Sequence, residues 1–179
     1  MSIVALSGSP SANSRSAALL RHALARLADG PARAEIVLRE LPPAALVQAE
    51  SGHPAIRDAC EQVAAARLVI VATPIYKAAY SGLLKTFLDL LPQDALRSKT
   101  VLPLATGGSP AHLLALDYAL KPVLAALGAR HVLDAVFASE AQLAPVPGGY
   151  AVHDELAARV DRALADGPYP LRAEPALAA

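Results

Sequence analysis

Three short stretches hold most of the residues whose types and spacing could do chemistry. The first is Ser7-Gly8-Ser9-Pro10-Ser11-Ala12-Asn13-Ser14-Arg15-Ser16, with four hydroxyls beyond Ser7, one glycine and one guanidinium, running into a helical pattern. Backbone N–H groups at a helix N-terminus, joined by hydroxyl and guanidinium donors, suit a phosphate. Plain capping of the helix by Ser14 or Ser16 accounts for the same serines. The loop is not G-x-G-x-x-G and lacks the G-K-[ST] of nucleotide-hydrolysing loops, and no phosphate-binding lysine or metal-holding acid lies nearby, which argues against phosphoryl transfer. The second stretch is Thr73-Pro74-Ile75-Tyr76-Lys77-Ala78-Ala79-Tyr80-Ser81-Gly82, where a proline-fixed loop offers aromatic and backbone groups to a planar heterocycle. Tyr76 and Tyr80 equally suit a role in packing that loop down. The third is Ala105-Thr106-Gly107-Gly108-Ser109-Pro110, whose paired glycines permit close backbone approach and positive φ, or simply a tight turn.

Other reactive residues are dispersed. The five histidines include no i,i+4 pair, so neither metal ligation nor a catalytic triad is indicated. His112, beside the glycine loop, reads as structural, with proximity to a ligand as the alternative. The single cysteine, Cys60, can form no internal disulfide and no zinc site; it fits a small apolar helix position and a reducing cytoplasm. Sixteen Lys and Arg balance sixteen Asp and Glu, so the chain lacks the basic excess that nucleic-acid binding requires. Only 4% of residues are aromatic, too few for a base-stacking surface, and no apolar run is long enough for a membrane span.

The elements that must position the three stretches follow from periodicity. Short apolar runs at 3–6, 34–38, 68–72, 101–105 and 131–137 predict strands, and helical spacing marks 16–27, 55–66, 82–91, 111–127 and 152–165. Five strand–helix alternations with nearly continuous apolar strands predict an α/β fold: a flavodoxin-like, doubly wound, five-stranded parallel sheet with helices on both faces. Pro103 predicts an edge, a bulge or an unpaired N–H in the fourth strand. One domain is expected over 1–166, with 167–179 a poorly packed C-terminal extension. Pro122 leaves no N–H for the carbonyl of Tyr118 and crowds it, so the helix from Ala111 is expected to carry a π-bulge or a proline kink there. In such a sheet ligands bind beyond the carboxyl ends of the strands. The three stretches follow strands one, three and four, and a phosphate end, a flat-ring wall and a glycine floor together describe a flavin mononucleotide (FMN) site.

Residues 72–86, 102–109 and 112–122, which include Ala72-Thr73-Pro74-Ile75-Tyr76-Lys77, Leu102-Pro103-Leu104-Ala105-Thr106-Gly107-Gly108-Ser109 and His112-Leu113-Leu114-Ala115-Leu116-Asp117-Tyr118, carry a family resemblance. The chain resembles the NADPH-dependent FMN reductases of the flavodoxin-like superfamily, above all the reductase component of two-component alkanesulfonate monooxygenase systems. The resemblance covers most of 1–142. It implies that Ser9, Ser14, Arg15 and Ser16 hold the FMN phosphate, that Pro74, Ile75, Tyr76 and Lys77 line the isoalloxazine, and that Thr106, Gly107, Gly108 and Ser109 approach it. Lys77 stands where the wider superfamily often has Asn or an acid; solvent or a partner surface is favoured for it over a flavin carbonyl. The resemblance also implies a π-helix around Tyr118 at a homo-oligomer interface, in a dimer or tetramer. Hydride would pass from NADPH to FMN with no protein acid or base, because the cofactors carry that chemistry, and the reduced flavin would serve a partner monooxygenase of sulfur metabolism. The alternatives are an FMN-containing quinone or azo-dye reductase and, less favoured by the neutral charge, a flavodoxin-type electron carrier.

Overall fold

The structure, a computed structural model, describes residues 2–172. In chain order the elements are β1 (Ser2–Ser7), α1 (Arg15–Arg26), β2 (Ala32–Val37), α2 (Pro43–Val47), α3 (Pro54–Ala65), β3 (Ala66–Tyr76), β4 (Ala79–Tyr80), α4 (Gly82–Leu88), β5 (Thr100–Gly107), α5 (Lys121–Ala126), β6 (His131–Val132), β7 (Val136–Ser139), β8 (Leu143–Val146), β9 (Gly149–Val152) and α6 (Asp154–Ala165). The main sheet is parallel in the order β2-β1-β3-β5, with β6 and β7 sharing the fifth position beside β5. This is the flavodoxin-like order. Period-two alternation sends Ile3, Ala5, Ile70, Leu102 and Leu104 toward α1 and α6, where Leu19, Leu20, Leu156 and Val160 are buried. Val4, Leu6, Val69, Val71 and Val101 face the other way, onto Ile56 and Val63 of α3, Phe87 of α4 and Leu124 of α5. A fully buried side chain of this size contributes about 1.5–3 kcal/mol, so each face is held by its own apolar layer.

Three departures from the sequence expectation have physical causes. The fifth strand is not continuous over 131–137: it breaks between Val132 and Val136. Pro103 explains the break. The Val101 carbonyl accepts from Leu133 N–H at 2.9 Å, so Val101 and, two residues on, Pro103 turn their backbones toward the fifth strand, and Pro103 has no N–H to give. The strand carrying the proline is thus regular and interior, and its neighbour takes up the irregularity. The expected helix over 111–127 is instead a 3₁₀ turn (Pro110–Leu113), a π-helical segment (Leu116–Leu120) and α5. Lys121 N–H reaches back five residues to the Leu116 carbonyl, which centres the π segment on Tyr118 and seats Pro122 in the first turn of α5. Lastly, the chain from Gly167 to Arg172, expected to be poorly packed, docks on α1: Ala28 N–H donates to Pro170 O, Arg172 N–H to Arg26 O, and Arg172 pairs with Asp29 at 2.6 Å. The remainder of that extension lies outside the described residues.

Periodicity over five βα units also passed over two hairpins. The β8–β9 hairpin turns at Pro147-Gly148, with Gly148 at φ 83°. The β3–β4 hairpin turns at Lys77-Ala78, and both residues have positive φ, 50° and 64°. A two-residue turn with positive φ at both centres is favoured by Asn-Gly and costs L-residues about 1–2 kcal/mol each. Replacing Lys77 by Asn together with Ala78 by Gly should therefore stabilise the fold by about 1 kcal/mol, raising Tm by roughly 2–4 °C. Thermal unfolding checks this, and a lower Tm would show that the Lys77 and Ala78 side chains pay for the strain through contacts of their own.

Candidate functional site

The carboxyl ends of β1 and β3 are locked together by a buried polar network. Gly8 N–H donates to Ala72 O at 2.8 Å, and the Ser81 hydroxyl donates to Gly8 O. Ser81 Oγ also accepts from Leu84 N–H at 3.1 Å, capping α4, while Ser81 N–H donates to Thr73 Oγ1 at 3.0 Å and the Thr73 hydroxyl donates to Pro74 O at 2.9 Å. A Cβ at Gly8 would stand 3.0 Å from both Ala72 O and Leu84 Cβ, tighter than ordinary contact, so glycine lets the loop lie close against β3 and α4. The network fixes the serine-rich loop against the Pro74–Tyr76 segment.

Between those two loops and the end of β5 lies a cleft of about 260 Å³. Of the residues singled out in the sequence, Ser9, Ser14, Arg15, Pro74, Ile75, Tyr76, Thr106, Gly107 and Gly108 line it. The structure does not bring in the other three. Ser16 is buried beneath the loop with its Oγ 2.9 Å from Ser14 Oγ. Lys77 sits in the strained turn beyond Tyr76 and is exposed. Ser109 caps the 3₁₀ turn, accepting from Ala111 N–H at 3.3 Å. Ser14 does both jobs considered for it, lining the cleft and accepting from Ala17 N–H at the start of α1. Gly107 and Gly108 are not at positive φ; a Cβ at Gly107 would meet His112 Nδ1 at 3.1 Å and the Phe137 ring at 3.2 Å, so close packing behind the strand end favours glycine there. His112 thus supports the glycine loop from behind.

Four lining residues escaped the sequence selection: Ser11, Asn13, Glu140 and Tyr150. Ser11 and Asn13 lie in the serine-rich loop itself. Glu140 immediately follows β7, and the rule that ligands bind beyond strand ends points to it. Tyr150 arrives on the β8–β9 hairpin, which the periodicity did not reveal. Arg15 is the meeting point. Its Nη2 lies 3.4 Å from Glu140 Oε2, its guanidinium carbon is 5.1 Å from the Tyr150 ring centroid, and its Nε is buried with no hydrogen-bond partner. No group of three or more His, Cys, Asp or Glu able to hold a metal occurs among the described residues. None of their helices is long and apolar enough to cross a membrane.

Residues 1–143 match the sequence profile of a family described as NADPH-dependent FMN reductase. The chain is 51% identical over 146 residues to "FMN reductase (NADPH)" of Escherichia coli K12, covering 80% of this chain and 75% of that protein. It is 36% identical over 148 residues to "NADH-dependent FMN reductase SfnE" of Pseudomonas putida, covering 80% of each. Among solved structures, the apo form of an NADH:FMN oxidoreductase (EMOB) superposes with a TM-score of 0.80 at 48% identity, over 91% of this chain and 86% of that one.

The clamp is open to direct test. Ser81→Ala removes the α4 cap and leaves the Gly8 carbonyl buried without its donor. The expected cost is about 2–3 kcal/mol, read as a lower midpoint in urea at unchanged slope. A loss under about 0.5 kcal/mol would show that the two loops are held by something else.

Proposed function

The chain belongs to the NADPH-dependent FMN reductase family, and we propose that it moves hydride from NADPH to FMN in this cleft and hands the reduced flavin to a separate monooxygenase. The observation that carries the reading is Arg15: a guanidinium at a hydroxyl-rich helix N-terminus, with a buried Nε that lacks an acceptor. That is the donor set a phosphate monoester completes. Ser9, Ser11, Ser14 and Arg15 would hold the phosphate. Pro74, Ile75 and Tyr76 would wall the ring, and Thr106, Gly107 and Gly108 would form its floor. When bound, flavin supplies the hydride acceptor, so the protein's task is to orient two rings and exclude water rather than to donate or take protons. The titratable groups lining the cleft among the described residues are Arg15, Glu140, Tyr76 and Tyr150. A reducing cytoplasm suits Cys60, which has no second cysteine to pair with.

NADPH is the proposed donor, although relatives of comparable similarity are named for NADPH and for NADH. The deciding measurement is oxidation of each nucleotide by purified protein supplied with FMN, FAD or riboflavin. Flavin-dependent oxidation, fastest with NADPH and FMN, is expected; no flavin-dependent oxidation by either nucleotide would defeat the reading. Turnover of a quinone or azo dye without release of reduced flavin would favour the alternative enzyme class.

We further propose that the π segment is a homo-oligomer contact. Tyr118 is 79% exposed, and Leu113 and Leu114 beside it are about half exposed, an apolar group that nothing among the described residues covers. The segment packs against β4, part of the hairpin that carries Tyr76 into the cleft, so the contact adjoins the flavin wall. Tyr118→Ala should lower the mass in solution from a dimer or tetramer and change flavin retention, while shifting the unfolding midpoint little. Unchanged mass, FMN affinity and turnover would sink the assignment.

A further inference from the structure

Among the described residues, Arg15 and Glu140 are the only charged side chains lining the cleft, and they face each other at 3.4 Å. An acid is out of place in a cradle for a phosphate, and its backbone is held there. Glu140 opens a 3₁₀ turn fixed by a capping box in which Ser139 N–H donates to Gln142 Oε1 at 3.1 Å, and Arg159 Nη2 donates to the same oxygen at 3.1 Å. Across the cleft, a Cβ added to Gly108 would stand 3.5 Å from Glu140 Oε1, so the carboxylate lies between the glycine floor and the guanidinium. On the other side the Tyr150 ring keeps Arg15 in place. The Glu140 side chain is 58% exposed and so has room to swing out.

Resting on the FMN-reductase reading, we infer that Glu140 sets how long the flavin stays. Its carboxylate satisfies Arg15 in the empty cleft and must be displaced by the incoming phosphate. After binding, it remains close enough to repel the phosphate's two negative charges. Both effects weaken FMN selectively, through the phosphate and not through the ring, which suits a flavin that must leave as reduced product. For a partly exposed pair, the lost ion pair and the added repulsion together amount to about tenfold in affinity, or about 1.4 kcal/mol. Glu140 is in this sense a positioning and specificity residue that acts through Arg15.

The test is flavin binding followed by fluorescence, with FMN and riboflavin as probes, since riboflavin lacks only the phosphate. Glu140→Gln should tighten FMN about tenfold and leave riboflavin within about twofold. In an Arg15→Ala background the gain should shrink to about threefold or less, as coupling through Arg15 requires. Equal FMN affinity in the native protein and Glu140→Gln, or tightening of riboflavin in parallel, would overturn the inference while leaving the reductase reading intact. Failure of both proteins to bind FMN at all would defeat that reading, and the inference with it.

Discussion

The geometry of the cleft depends on one buried contact, the Ser81 hydroxyl donating to the carbonyl of Gly8. It joins the loop after the first strand to the start of α4, seventy-three residues on. The same oxygen caps that helix, and the Gly8 N–H simultaneously pairs with Ala72 at the end of β3. Thr73 and Ser81 are essentially inaccessible to water, so every donor and acceptor among them must be met inside the protein. They are met, and a fully satisfied network at low dielectric is stiff. Its stiffness sets the separation between the hydroxyl-rich loop and the Pro74–Tyr76 wall. Glycine at position 8 is what lets the loop pack this closely against Ala72 and Leu84.

A second constraint acts at the far side of the sheet. Pro103 withholds one N–H from the fifth strand, which breaks and resumes as β7 alongside Leu104 to Gly107. The resumed strand ends level with β5, so the turn holding Glu140 emerges beside the glycine floor. From there the chain enters the β8–β9 hairpin, which returns Tyr150 to Arg15. A single missing donor in the sheet thus governs the route by which the last two lining residues reach the cleft.

This explains which parts of the molecule were legible in the sequence. The parallel sheet was, because its strands are buried on both faces and read as unbroken apolar runs. The three strand-end loops were, because each alone suits an ordinary capping, packing or turn role but all three follow neighbouring parallel strands, where ligands bind. The conflict of Pro122 with the Tyr118 carbonyl marked where the helix had to be irregular and left a π-bulge and a kink open; the π form at Tyr118 came from the family resemblance. What escaped depends on contacts distant in sequence. That Ser16 turns inward is decided by its partner Ser14 and by burial under the loop, and that Gly107 answers to Phe137 and His112 is decided by packing across two elements. The β8–β9 hairpin has a Pro-Gly turn signal but only four residues per strand, too short for alternation to stand out.

The locally unfavourable features of the chain are not scattered. The left-handed Lys77-Ala78 turn lies at the tip of the β3–β4 hairpin, and the π segment packs against that same hairpin. Each costs free energy that a regular turn or an unbroken α-helix would not. Both present apolar or aromatic groups outward: Tyr76 half exposed at the rim of the cleft, and Tyr118 with Leu113 and Leu114 beside it. Two independent strains on adjacent elements persist only where a shape is required that regular structure cannot supply. Regular geometry at either position would draw these side chains toward the body of the protein. The strain on these two adjacent elements accompanies an exposed aromatic and apolar surface that runs from the cleft rim at Tyr76 to Tyr118.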